Sequence, residues 1–206
     1  AALKNQHKAT IWVGHHAFDL IVTPLIDGSK TTGFVVEWAN AKERLENQDY
    51  RGQLHAISRS QAVIEFTPQG EILHANENFL AVTGYTLAEV KGKSHRILLA
   101  PGPEGDRYFE EIWNDLRANK PRIGDIVRYG KGGKKLDLNA SYNPIVDEKG
   151  NVVKVVKFAN DVTDRVHAVS TIGGALNKMA KGDLSFLIDK PFAPDFEPLR
   201  TNLNEA

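Results

Sequence analysis

The chain has 206 residues, 41% hydrophobic and 25% charged, and its 26 basic residues balance 26 acidic ones. This suits one or two globular domains and argues against nucleic acid or an anionic membrane surface as partner. With no cysteine there is no disulfide, thiolate zinc site or thiol catalysis, and a reducing compartment fits.

No apolar run approaches the ~18–20 residues that cross a bilayer. The opening AALKNQHKAT lacks a secretory apolar region, so a cytoplasmic protein, or the cytoplasmic portion of a membrane receptor, is expected. KATIWVG (8–14), FDLIVTPLID (18–27) and TGFVVEW (32–38) are β-branched and aromatic runs separated by turn residues, which predicts three antiparallel strands. His15 and His16 fall in the first turn. Residues 41–60 are charged, with Leu45, Tyr50, Leu54 and Ile57 in a sparse apolar set, and predict a connecting helix that Gly52 interrupts. AVIEFTPQGEILHAN (62–76) alternates about a TPQG turn and predicts a hairpin.

NENFLAVTG (76–84) then predicts a short helix capped by Asn76 and closed by Gly84, with Phe79, Leu80 and Val82 inward. A second short helix starts at Thr86 and stops at Gly92. In GDRYFEEIWNDLRANK (105–120), Phe109, Ile112, Trp113 and Leu116 form one stripe of an amphipathic helix. GDIVRYGK (124–131), LDLNASYNPIVD (136–147) and NVVKVVKF (151–158) predict three more strands. GKGGKK lacks the spacing and the following helix of a phosphate loop.

The chain repeats itself. Shifted by 120 residues without a gap, PLIDGSKTTGFVVEWAN (24–40) aligns with PIVDEKGNVVKVVKFAN (144–160), with identities at Pro24/Pro144, Asp27/Asp147, Val35/Val155, Val36/Val156, Ala39/Ala159 and Asn40/Asn160. The second copy has a β-β-α-α-α preamble; the first lacks one, so three strands alone are expected to lean on a partner chain or further sequence.

The run FTPQGEILHANENFLAVTGYTLAEVKGKSHRILLAP, then RYFEEIWNDLRAN, then YNPIVDEKGNVVKVVKFANDVTD, resembles a PAS domain, in particular those of bacterial methyl-accepting chemotaxis and aerotaxis receptors. Gly84, Tyr85, Glu89, Val90 and Gly92, and the terminal Asp161-Val162-Thr163, carry the resemblance most specifically. It implies an α+β PAS fold, a five-stranded antiparallel sheet with flanking helices, over 61–164. It also implies the C-terminal half of a first PAS domain over 1–40, joined by the helix at 41–60. That first copy lacks the Asp-x-Thr ending. A signalling helix and a partial HAMP domain are expected over 165–206: from Val162 on, Val166, Val169, Ile172, Leu176 and Met179 recur at coiled-coil spacing, weakened by Gly173-Gly174, or form an ordinary amphipathic helix. KGDLS (181–185) and FEPLRTNLN (196–204) resemble parts of a HAMP domain, which implies a homodimer.

PAS cavities hold haem, flavin, a small acid or nothing. His95 is a candidate axial ligand for haem b, the first cofactor expected, or a histidine hydrogen-bonded at a turn. Asn76 and Trp113 match positions near the cofactor in flavin-binding aerotaxis domains, making FAD the second expectation; the Arg-His pair and the Trp of those domains are Leu99-Ala100 and Arg122 here. Asn76 also serves as a helix cap, and Trp113 as core. His74 is expected at the surface or the sheet edge. His167 lies where a histidine kinase carries its phospho-acceptor, but Ala168 and Val169 follow it, with no Pro nearby and no ATP-binding Gly box, so no enzyme is expected. The sequence thus predicts a sensory input and relay module of a chemotaxis receptor. A ligand or redox/oxygen cue passes through the junction residues Asp161 and Thr163 to a dimeric helix and HAMP, with a chemotaxis kinase and adaptor downstream. The alternative is a ligand-free PAS dimerisation scaffold.

Overall fold

A computed structural model describes residues 4–205 of the chain. Their contacts divide them into two units, one up to Ile57 and one from Ser58 onward. No helix among the described residues is long and apolar enough to cross a membrane.

The first unit is an antiparallel sheet of β1 (His7–Val13), β2 (His16–Asp27) and β3 (Lys30–Asn40), in that order, followed by α1 (Lys42–Ser60). Gly52 does not interrupt α1, contrary to expectation: the helix runs unbroken for 19 residues and only the modest propensity penalty of a mid-helix glycine remains. The sheet leaves Trp12, Phe34, Val36 and Trp38 exposed. Arg44 clamps its second strand, donating to both carboxylate oxygens of Asp19 at 2.6 and 2.7 Å.

The second unit contains a five-stranded antiparallel sheet in the order β5-β4-β8-β7-β6. Its strands are β4 (Ala62–Phe66), β5 (Ile72–Ala75), β6 (Arg122–Tyr129), β7 (Lys135–Val146) and β8 (Val152–Asp161). Helices α2 (Glu77–Thr83), α3 (Leu87–Val90) and α4 (Pro103–Arg117), with a 3₁₀ turn at His95–Leu98, lie between β5 and β6 in the chain. The caps fall where the sequence places them. Asn76 accepts from the Phe79 N–H, Gly84 adopts φ 75°, and Thr86 with Glu89 forms a capping box. Phe109, Ile112, Trp113 and Leu116 of α4 are buried with Ile64, Phe66, Leu136, Leu138 and Val155 of the sheet in one core. The free edge of β5 is covered by residues 92–95: Ile72 N–H donates to Lys93 at 2.8 Å, and His95 N–H donates to Gly70 at 2.7 Å.

The two copies of the three-strand motif share topology and even the bulge, between Leu25/Ile26 and between Ile145/Val146. Their register corrects the gap-free alignment. Val22 faces Val36, and Tyr142 faces Lys157; Phe18 faces Asn40, and Leu138 faces Asp161. The shift is therefore 120 residues on the first strand of the hairpin and 121 on the second, because the second copy's turn is one residue longer. Side chains alternate along a strand, so this single residue moves every later position to the other face. The counterpart of Val36 is Lys157, and that of Asn40 is Asp161.

Beyond β8, α5 (Thr163–Ala180) leads to α6 (Glu197–Glu205). The side of α5 that is buried carries Ala168 and Ala175, packed with Ile188 and Phe192 of the intervening segment. Val166, Val169 and Leu176 of the apolar stripe face away and are exposed.

Candidate functional site

Three strands aim one face at the helices. Period-2 alternation brings Leu136, Leu138, Ala140 and Tyr142 of β7, Val155, Lys157 and Ala159 of β8, and Arg128 near the end of β6 to the buried side. Phe66 from β4, His95 from the 3₁₀ turn, and Phe109 and Trp113 from α4 complete an aromatic cluster. Phe66 packs edge-on to His95 and Trp113 at centroid distances of 5.1 and 5.5 Å, and His95 lies 5.6 Å from the Tyr142 ring.

His95 is 0% exposed, and both its nitrogens are engaged. Trp113 Nε1–H donates to His95 Nδ1 at 3.2 Å. An indole N–H can only donate, so the imidazole proton sits on Nε2, which donates to the Tyr142 hydroxyl at 3.1 Å. Burial first, then the charges of Arg128 and Lys157, hold His95 well below the ordinary imidazole value, and it is neutral. Arg128 donates to the same Tyr142 hydroxyl from Nη2 at 3.0 Å and Nε at 3.3 Å, and to the Tyr108 hydroxyl at 2.8 Å. Burial pushes the Tyr142 phenol up to about 12.

Lys157 is the outlier. It is 0% exposed, and its Nζ has no hydrogen-bond partner among the described residues. The Nζ stands 4.9 Å from the Tyr142 ring centroid, a cation–π distance. Burial, and secondly the Arg128 charge, pull its amine well below the ordinary lysine value.

Of the cofactor candidates, the fold brings His95 and Trp113 into direct contact and places Asn76 elsewhere. The Asn76 carbonyl accepts from the N–H groups of Val63 and Phe79, each at 2.9 Å, and its amide donates to the carbonyls of Ser58 and Gln61, each at 2.8 Å. Its whole hydrogen-bonding capacity is thus spent on fastening α2 to the start of β4. His74 is exposed on the edge strand, and His167 of α5 is exposed with its ring edge-on to Phe192.

The junction residues do meet. Asp161 Oδ1 accepts from the Thr163 N–H at 2.9 Å and from the Thr163 hydroxyl at 2.5 Å. The Thr163 hydroxyl oxygen in turn accepts from the Asp137 N–H at 3.0 Å, and Val162 N–H donates to the Asp137 carbonyl at 2.9 Å. The start of β7, the end of β8 and the first turn of α5 share one polar knot. In the first unit, Asn40 Oδ1 accepts from the Lys42 N–H at 2.9 Å, and Ala41 N–H donates to Ala17 at 3.0 Å. Asn40 therefore does for that joint what Asp161 does here; only the threonine hydroxyl has no counterpart.

Lys157, Arg128 and Tyr142 are not among the residues that the sequence motifs single out. Their one signal is period 2: Lys157 shares a face with Val155 and Ala159, the apolar side of β8.

This sheet order, its helices and their shared core define a PAS-type α+β domain. Residues 60–164 match the PAS domain family, and the chain belongs to it. The chain is 39% identical over 145 residues to the biofilm dispersion protein BdlA of Pseudomonas aeruginosa, over 69% of this chain and 35% of that protein. It is 32% identical over 111 residues to the aerotaxis receptor of Escherichia coli K12, over 53% of this chain and 21% of the receptor. The PAS domain of a Colwellia psychrerythraea protein superposes with a TM-score of 0.50 at 20% identity, over 55% of this chain and 97% of that one, a likeness of fold. The chain spans about a third of BdlA and a fifth of the aerotaxis receptor.

As packed, the residues do not fit haem. Neither His95 nitrogen is free for an iron, and the space between sheet and helices is taken by Phe66, His95, Phe109, Trp113 and Tyr142. The same rings occupy the slot a flavin needs, and Asn76 has no group left for it.

Proposed function

We propose that the chain is the sensory input and relay module of a chemotaxis-type receptor. A change in the PAS interior alters the last strands of the sheet and passes through the Asp161–Thr163 knot into α5. The observation that carries this is the Thr163 hydroxyl, which joins β7, β8 and α5 at one point. The similarity to the aerotaxis receptor and to the biofilm dispersion protein supports it. In this reading β1–β3 are the C-terminal half of a preceding PAS unit, and 181–205 belong to a HAMP domain. The exposed Val166, Val169 and Leu176 form the seam of a parallel dimer, which hands the signal to a chemotaxis kinase and its adaptor. The module acts by conformational coupling and catalyses nothing.

A flavin or other cofactor belongs to this reading only with repacking of the aromatic cluster, and the visible spectrum of freshly purified protein reports it. The filled interior favours a second reading, a ligand-free dimerisation scaffold. The test is the parent receptor carrying Asp161→Ala or Thr163→Ala, assayed for taxis and for disulfide trapping between Val169→Cys protomers. Lost taxis with a folded PAS domain and altered trapping supports relay. Unchanged taxis and trapping in both variants refutes it.

A further inference from the structure

One amine lies where a charge has no support. Lys157 of β8 is fully buried and is paired laterally with Ile64 of β4 and Tyr142 of β7. Among the described residues its Nζ finds the face of the Tyr142 ring and no hydrogen-bond acceptor. The titratable and charged groups that face it are Arg128 from β6, Tyr142 from β7 and His95 from the 3₁₀ turn. The Tyr142 oxygen is already taken by Arg128 and His95, and both His95 nitrogens are engaged. From β4 and α4 the interior receives only apolar side chains. Thr83, His95 and Arg128 are the other buried polar or charged side chains among the described residues, so no buried carboxylate offsets a charge. A neutral amine is tolerated here; an ammonium would bring three donors without an acceptor, beside a second cation.

The sheet does not require the lysine. Val36 holds the same register position in the first copy, and that three-strand sheet forms with it. The packed interior leaves no room for an organic ligand beside the amine, since aromatic rings fill it. A proton needs no room. Lys157 also stands on the same strand as Asp161, four residues upstream and about 13 Å away at strand rise. Asp161 in turn accepts from the N–H and the hydroxyl of Thr163 at the head of α5. A displacement of β8 at Lys157 therefore pulls on that knot.

We propose that Lys157 is a proton receptor and that the cue this PAS domain reads is acidification. At high pH the amine is neutral and packed. As pH falls it takes up a proton, and the ammonium cannot stay among those groups. Strand β8 then shifts to bring it to water, and the Asp161–Thr163 knot and the first turn of α5 shift with it. The shifted state holds one proton more than the packed one, so acid favours it, by up to about tenfold in population per pH unit. The proposal rests on the reading of this domain as an input module and names its stimulus.

The experiment follows the full chain by NMR across pH, with isotope-labelled lysine to read the Lys157 side chain and labelled backbone nitrogens to read Val162 and Thr163. The Lys157 signal is assigned by its absence in Lys157→Met. Lys157 is expected to gain its proton while the chain remains folded, and the Val162 and Thr163 amide signals to move in the same step. In Lys157→Met that step should vanish. Lys157→Arg, charged at every accessible pH, should hold the junction amides in the acid state throughout. A Lys157 that keeps one protonation state across the folded range, or a junction step undiminished in Lys157→Met, would overturn the proposal and leave relay standing. A Lys157 that titrates while Val162 and Thr163 stay still would refute the relay reading, and the proposal with it. The coincidence of the two steps needs only the wild-type chain, so a variant that fails to fold leaves the test intact.

Discussion

The hydroxyl of Thr163 and the backbone N–H of Asp137 are joined by a 3.0 Å hydrogen bond, although 26 residues separate them. That bond fastens the first turn of the outgoing helix to the strand that also carries Tyr142. Thr163→Val keeps the shape and removes the hydroxyl. It should cost about 1–2 kcal/mol in chemical denaturation, and Thr163→Ser should recover most of the loss. Equal destabilisation by both would mean that the methyl group, rather than the hydroxyl, holds the joint.

Asn76 separates a structural from a cofactor role. Because its amide satisfies four backbone groups, Asn76→Ala should cost about 2–3 kcal/mol in protein free of any ligand. Asn76→Asp should also destabilise, since it sets a carboxylate against the Ser58 and Gln61 carbonyls. Urea unfolding of the purified chain decides this; a change below about 0.5 kcal/mol would remove the cap role.

Gly70 sits at φ 87° in the turn between β4 and β5, and a Cβ there would come within 2.8 Å of Trp113 Cε2. Strain at positive φ and the clash with a closely packed ring act together, so Gly70→Ala should cost about 2–4 kcal/mol. The fluorescence of Trp113 should also shift in the folded state.

Both buried bases predict the sign of the pH dependence. Unfolded, His95 binds a proton below about 6.5 and Lys157 below about 10.5; folded, each binds only at lower pH. The unfolded state then holds more protons, so stability rises with pH. His95 weakens the fold as pH falls below about 6.5, and Lys157 does so as pH falls from about 10.5 toward its folded value. Calorimetric Tm of ligand-free protein should climb from pH 6 to 9. In Lys157→Met, stability at pH 7 should rise by about 1–3 kcal/mol, and the climb above pH 7 should flatten. Parallel wild-type and variant curves would show that Lys157 does not titrate this way.

Gly173 and Gly174 lie inside α5, and a methyl group added at either would meet no atom within 4 Å. Replacing each with Ala should stabilise the helix by about 1 kcal/mol, seen as helical signal retained to higher temperature. If the weak spot serves signalling, the double variant should also lock the receptor output.

Much of this protein was legible in one dimension. Asn76, Gly84 and Thr86 mark helix ends because caps satisfy orphan backbone groups locally, and the α4 stripe reads at helical period whatever it packs against. The Asp161–Thr163 knot was half visible: the local bonds follow from two short polar side chains, but the tie to Asp137 depends on how β7 pairs with β8. Tertiary structure alone decided the rest. A one-residue difference in turn length shifted the repeat and set Lys157, not Val156, at the position that Val36 holds in the first copy. His95 was a candidate iron ligand until Trp113 and Tyr142, 18 and 47 residues away, took both its nitrogens. Sequence periodicity fixes which face a side chain takes, because that is local geometry. Whether a buried donor finds an acceptor depends on strands and helices far apart in the chain, and here only their packing left Lys157 without one.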